Sequence, residues 1–267
     1  MGSSKRLSQT VRETAVARGD SLFLPSRRSP AVNAMPNSSL AATADSATAS
    51  LDVLILDTQP VARTGTLALL SGLMGNRIPR HAETAAAAWS LLAQARPELF
   101  ILELSLNGPS GLDFIRQVLD QHPGLPILVF SAWPEEWYAD RALRAGARGY
   151  VMKSAEPSML VAAVRRIMAG HIFVSPEASE LIVSRLHASG RNLPDPTASL
   201  SDRELEVFLL IGQAFGTSEI ARRLRVSVSS IESYRAGIKR KLGLNNCAQL
   251  VHAAVSCMVA AGELSFR

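Results

Sequence analysis

Residues 145–154 read Ala-Gly-Ala-Arg-Gly-Tyr-Val-Met-Lys-Ser. At the centre of this stretch Gly149–Met152 is a short β-type run. A helical pattern over Glu135–Ala145 precedes it, another over Pro157–Ala169 follows, and Lys153 stands at its carboxyl end. The same alternation recurs upstream. Val53–Leu56 precedes a helix over Val61–Met74, a weak strand near Asn76–His81 precedes an Ala-rich helix over Thr84–Arg96, Leu99–Leu102 precedes a helix over Gly111–Gln121, and Pro126–Phe130 leads into the Glu135 helix. Five such units predict a parallel sheet with helices on both faces. Function in these sheets collects at the carboxyl ends of the strands. Asp57 follows the first strand, Glu103 ends the third, Ser131 ends the fourth and Lys153 ends the fifth, so four polar groups converge on one spot.

The rest of the chain frames this unit. At 267 residues it has the length of two domains, by the usual 100–200 residues per domain. Aromatic residues make up 5% of it, so its cores are built mainly from Ala, Leu, Val and Ile. No apolar run approaches the ~20 residues of a membrane helix, and a soluble protein without a membrane partner is expected. Cys247 and Cys257 are too few for a disulfide scaffold and lack metal-ligand partners at useful spacing, which points to the reducing cytoplasm. Both read as small apolar fillers, with redox sensing the lesser alternative. A net charge of +5 permits a polyanionic partner without requiring one. Residues 1–50 are rich in Ser, Ala and Arg and lack apolar periodicity, so they read as a disordered basic tail rather than a targeting peptide. Residues 173–198 read as a linker with a short helix starting at Ser175-Pro176, and residues 199–267 as a separate helical domain.

Several segments of the first domain together resemble the receiver domain of bacterial response regulators. They are Ile55-Leu56-Asp57-Thr58-Gln59-Pro60-Val61-Ala62-Arg63, Glu98 through Gly111, Ser131-Ala132, and the 145–154 stretch. The resemblance implies an α/β flavodoxin-like (βα)5 fold over residues 51–172. It also implies roles. In that family an Asp on the third strand accepts a phosphoryl group, a pair of acids after the first strand helps it hold Mg²⁺, a Ser or Thr and a Lys contact the phosphoryl oxygens, and an aromatic residue rotates with the switch. Ser131, Lys153 and Tyr150 match the last three roles. Thr58 stands in place of the second acid, leaving Asp57 alone, and Glu103 stands in place of the acceptor.

These two replacements act together. Mg²⁺ usually takes one or two carboxylates plus phosphate oxygens in octahedral geometry, and a Thr hydroxyl removes a charge from that set. Glu reaches about 1.5 Å further than Asp. Phosphoryl transfer is mostly positioning, and a displacement near 1 Å can cost on the order of 100-fold. The longer carboxylate is expected to reach Lys153 and sit where a phosphoryl oxygen would. The expectation is a receiver that has lost phosphoryl signalling, with weak or absent Mg²⁺ binding and no cofactor, which puts a cognate kinase in doubt. The rival is a phospho-switch that uses Glu103. Plainer readings stand beside both: Asp57 as a cap of the following helix, Ser131 and Lys153 as ordinary loop and surface residues, Tyr150 as core packing, and Glu103 as an inert solvated carboxylate.

In the C-terminal part, Leu200-Ser201-Asp202-Arg203-Glu204 opens with the pattern of a capping box between Ser201 and Glu204. Thr217–Leu224 and Ser229–Leu242 are short amphipathic helices joined by a tight turn, a helix-turn-helix. The run Leu200–Leu244 resembles the all-α LuxR-type helix-turn-helix domain of the NarL/FixJ response regulators. The resemblance implies a transcriptional regulator that binds double-stranded DNA with its second helix in the major groove. Glu232, Ser233, Arg235 and Ala236 are then nearest the base edges, with Ser227, Ser229, Ser230, Lys239 and Lys241 toward phosphates. Gly237, a poor helix former, either allows close approach to DNA or is tolerated drift. A last apolar helix around Ala248–Ala261 implies a homodimer on paired half-sites, or simply core packing. The alternative function is an accessory regulator that acts by heterodimerising with another transcription factor. An enzyme is not expected: the chain has no Gly-rich phosphate loop, no nucleophile elbow and no His/Cys metal cluster.

Overall fold

Val53–Leu56 and Leu99–Leu102 carry no polar side chain, so strands made of them must be covered on both faces. The computed structural model describes residues 50–188 and 196–260 and places these runs as neighbours inside a parallel sheet. Its strands are β1 (Val53–Leu56), β2 (Arg80–Ala82), β3 (Leu99–Leu102), β4 (Ile127–Ser131) and β5 (Gly149–Met152), in the order β2-β1-β3-β4-β5. This is the flavodoxin-like doubly wound arrangement, with its switch point between β1 and β3. Side chains alternate as a pleat requires. Leu54, Leu56, Phe100, Leu102, Ile127 and Val129 face α2 (Ala85–Gln94), α3 (Gly111–Gln121) and α4 (Glu135–Arg144). Val53, Ile55, Leu99, Ile101 and Leu128 face α1 (Pro60–Met74) and α5 (Pro157–Met168).

Strand β2 departs from its expected position at Asn76–His81. It is a three-residue edge strand, and the Arg80 guanidinium is held by Asp52 at 2.7 Å rather than by apolar packing, so there was no apolar run to read. The expected linker also begins differently. Phe173 pairs beside Gly149: the Tyr150 amide donates to the Phe173 carbonyl at 2.9 Å, and the Phe173 amide donates to Arg148 at 3.0 Å. A Cβ on Gly149 would lie 2.7 Å from that carbonyl, which explains the glycine. Then α6 (Pro176–Ala188) lies against α4. Residues 1–49 of the basic arm read over 1–50, the Pro-punctuated stretch before Pro196 and the residues after Ala260 lie outside the described residues.

A 3₁₀ turn over Pro196–Ser199 leads to α7 (Asp202–Gly212), α8 (Thr217–Leu224), α9 (Val228–Leu242) and α10 (Cys247–Ala260). The capping box forms as the sequence indicates: the Glu204 amide donates to Ser201 Oγ, and the Ser201 amide donates to Glu204 Oε2 at 2.7 Å. Leu250, Ala254 and Met258 of α10 are buried against α7, whose Gly212 lets Met258 approach. One expectation fails here. Cys247 is exposed at the first residue of α10 and fills nothing, while Cys257 is half-buried against the core.

Candidate functional site

The loops at the carboxyl ends of β1, β3, β4 and β5 bring Asp57, Glu103, Ser131 and Lys153 together, as their positions in the sequence imply. Asp57, Glu103 and Ser131 are all buried. Lys153 Nζ lies 2.6 Å from Asp57 Oδ2 and 2.7 Å from Glu103 Oε2. Ser131 Oγ donates to Glu103 Oε1 at 2.5 Å. The Ser105 amide donates to the same oxygen at 3.1 Å, and the Ala132 amide to Oε2 at 3.3 Å. Glu103 is therefore not a solvated carboxylate: a cation, a hydroxyl and two amides converge on it.

Two carboxylates share one ammonium in this pocket, so one negative charge is not fully balanced. Burial pushes the Asp57 carboxyl above its ordinary value, against the hydrogen bonds it accepts from Lys153 and the Gln59 amide. Burial alone would lower the pKa of Lys153, but the two carboxylates outweigh it and hold the ammonium above its usual range. Asp57 Oδ1 accepts the Gln59 amide at 2.8 Å, a turn that leads into α1, whose first turn has no side-chain cap. Thr58 donates to the Ser105 carbonyl at 3.4 Å. Tyr150 points inward, fully buried, and its hydroxyl donates to the Trp133 carbonyl at 2.8 Å.

This donor set does not fit a divalent cation. The oxygens of the lone Asp57 are committed to Lys153 and to the Gln59 amide, the Thr58 hydroxyl is turned to a carbonyl, and an ammonium stands between the two acids. Among the described residues no other group of acids, histidines or cysteines is placed to hold a metal ion.

The helical half is fastened beside this pocket. Asp202, at the start of α7, receives Arg141 of α4 at 2.8 Å and Arg116 of α3 at 3.0 Å. Arg141 also donates to the carbonyls of Leu200 and Thr197. Arg203 pairs with Glu206 at 2.6 Å and donates to the Gly108 carbonyl, in the loop that follows Glu103. Thr58, Ser105 and Trp133 on one side and Glu206, Leu210 and Arg223 on the other line a cleft of 270 Å³ at the pocket mouth. The sequence pattern gave no sign of this clamp. Its partners lie 56 to 95 positions apart, so no local pattern announces it.

The helix-turn-helix forms from α8 and α9, with Ile220, Leu224, Ile231 and Ile238 buried. Ser227 caps α9, accepting the Ser230 amide at 3.0 Å and sharing a hydroxyl contact with Ser230 at 2.8 Å. Ser229, Glu232, Ser233 and Ala236 are exposed together with Val228 and Arg240, on one stripe of the helix, and Lys239 is half-buried. Two expected DNA-facing side chains hold internal contacts, although Lys241 stays exposed. The Arg235 side chain is only 13% exposed and donates to Thr217 Oγ1 at 3.3 Å. Lys241 pairs with Glu204 at 2.5 Å. Gly237 faces Glu204, whose Oε1 would lie 2.6 Å from an added Cβ, so the glycine makes room for the carboxylate that completes the cap.

Comparison with known proteins follows the same division. The family description "Response regulator receiver domain" matches residues 53–165, and "Bacterial regulatory proteins, luxR family" matches residues 198–254. The oxygen regulatory protein NreC of Staphylococcus carnosus (strain TM300) is 31% identical over 210 residues, covering 77% of this chain and 97% of that protein. NreC of Staphylococcus aureus (strain JH9) is 30% identical with the same coverage. Among solved structures, RcsB from Salmonella enterica serovar Typhimurium bound to promoter P1flhDC in the presence of phosphomimetic BeF3⁻ is similar at a TM-score of 0.54 and 25% identity, covering 78% of this chain and 99% of that one.

Proposed function

This chain belongs to the response regulators with a LuxR-type DNA-binding domain, and we propose that it is a transcription factor whose receiver works without phosphorylation. One observation carries this reading. The Glu103 carboxylate takes up Lys153 and Ser131, the two contacts that the family resemblance assigns to phosphoryl oxygens. A carboxylate so placed stands in for the modified acceptor. It leaves an incoming phosphoryl group neither a free cation nor a free hydroxyl. With no fitting site for Mg²⁺ beside it, transfer lacks both its metal and its geometry. Lys239 and the exposed stripe of α9 face double-stranded DNA in this reading, and the protein acts in the cytoplasm as a homodimer on paired half-sites. No described helix is long and apolar enough to cross a membrane.

The test exposes purified protein to acetyl phosphate and Mg²⁺, with a Glu103→Asp variant in parallel, and follows phosphorylation by intact-mass spectrometry and promoter binding by footprinting. The expected result is an unmodified wild type whose footprint does not depend on the phosphoryl donor. Stoichiometric modification at Glu103 would establish the phospho-switch instead. A wild type that gives no specific footprint alone, but does so with a second regulator, would establish the accessory role.

A further inference from the structure

Helix-turn-helix modules bring the amino-terminal turns of their second helix to base edges, while phosphate contacts position the module around them. Through those turns the exposed stripe of α9 holds Val228, Ser229, Glu232, Ser233 and Ala236. Only one of these is charged, and it is an acid: the Glu232 side chain is 58% exposed. The arginine that would read guanine is held back, since the half-buried Arg235 side chain donates to Thr217 Oγ1 at 3.3 Å. The Ser233 hydroxyl donates inward to the Ser229 carbonyl at 3.0 Å, which leaves its oxygen outward as an acceptor. On α9, basic charge beyond Arg235 returns only in the last turn, at Lys239, Arg240 and Lys241, where backbone contacts suit it.

A carboxylate discriminates sharply among major-groove edges. Guanine presents two acceptors and thymine an acceptor and a methyl group, so both repel it. Adenine pairs its amine with the N7 acceptor, whereas cytosine presents its N4 amine alone. We propose that Glu232 sets the sequence preference of this protein by accepting a hydrogen bond from a cytosine amine, which makes cytosine obligatory at one position of each half-site. The inference rests on the reading of α9 as the helix that enters the groove. Glu232 also lies 4.0 Å from Arg235 Nε, so a merely structural role must be told apart by base preference rather than by stability.

The full chain is used to select duplexes from a randomised pool at fixed salt, alongside Glu232→Ala and Glu232→Gln, and the bound DNA is sequenced. Wild type is expected to return a motif with one fixed cytosine per half-site. Glu232→Ala should keep the rest of the motif and lose discrimination at that position on the order of tenfold. Glu232→Gln, which keeps the side-chain shape should the alanine variant prove unstable, should move the preference toward adenine, whose amine and N7 match a carboxamide. A fixed cytosine that survives in both variants overturns the inference, as does a wild-type motif lacking one. A wild type that selects no motif at all overturns the groove-binding reading itself, a result distinct from either.

Discussion

The pocket at the end of the sheet and the outer stripe of α9 use the same kinds of side chain and treat them in opposite ways. In the pocket an ammonium, a hydroxyl and two amides close on Glu103, and Lys153 joins it to Asp57 within 2.7 Å. On α9, Glu232 and Arg240 meet solvent. Burial makes an unsatisfied charge so costly that a pocket either recruits internal partners or holds a ligand. An exposed helix face is under no such pressure and keeps its hydrogen-bonding capacity for another molecule. The contrast separates a site whose hydrogen bonds are closed internally from one whose groups face solvent.

The strongest way to break that contrast is Lys153→Met. It leaves two buried carboxylates facing each other without a cation, and removing one partner of such a cluster costs about 3–5 kcal/mol in urea denaturation. A loss under about 1 kcal/mol would mean that water already fills the pocket. Next comes Asp202→Ala, which removes the carboxylate shared by Arg116 and Arg141. Because the Arg116 side chain is 45% exposed, the expected loss is discounted to about 1–2 kcal/mol. A double-mutant cycle with Arg141→Ala should be non-additive, and simple addition would deny the clamp.

On the open side, Lys239→Ala should leave unfolding unchanged and reduce the salt dependence of DNA binding by about one unit of slope, equally for all sequences. A loss confined to one sequence would make Lys239 a base reader. The smallest effect concerns Lys241→Met. Burial pushes Glu204 up, but Lys241 and the Ser201 amide outweigh it and hold the carboxyl below its ordinary value of 4.5. A depressed acid contributes stability above its unfolded value and loses it as pH falls through the folded one. The gap in melting temperature between wild type and variant should therefore be present at neutral pH and close in acid. A gap that persists in acid would assign the effect to packing. Lys153 works at the other limit: its raised value keeps its contribution intact below 10.5 and lets it decay as pH rises beyond that.

Most of the α/β half was legible because buried parallel strands are continuous apolar runs. Val53–Leu56, Leu99–Leu102 and Gly149–Met152 begin and end where their composition says. Strand β2 was misplaced because an edge strand held by Arg80 and Asp52 carries no such run. The pocket was legible because its residues sit at strand ends, whose convergence follows from the sheet alone, and the capping box was legible because its two partners lie three positions apart. What escaped was everything set by contact between distant segments. Charge composition could not tell that Arg203 turns to Gly108, Lys241 to Glu204 and Arg235 to Thr217. Nor could it reveal that the oddity of Gly237 answers to a carboxylate on another helix.

The pairing of Phe173 beside Gly149 has a consequence for how copies of this chain behave in a crowd. Strand β5 ends the sheet, and a terminal strand with bare amides and carbonyls is a template on which another molecule can extend the ladder into an aggregate. Phe173 occupies the Tyr150 amide and the Arg148 carbonyl and so seals that template. The seal depends on an absent side chain: one methyl group at position 149 would press on the Phe173 carbonyl and pry it loose. At this rim of the sheet, the hydrogen that stands in for a side chain at position 149 is what lets the cover stay in place.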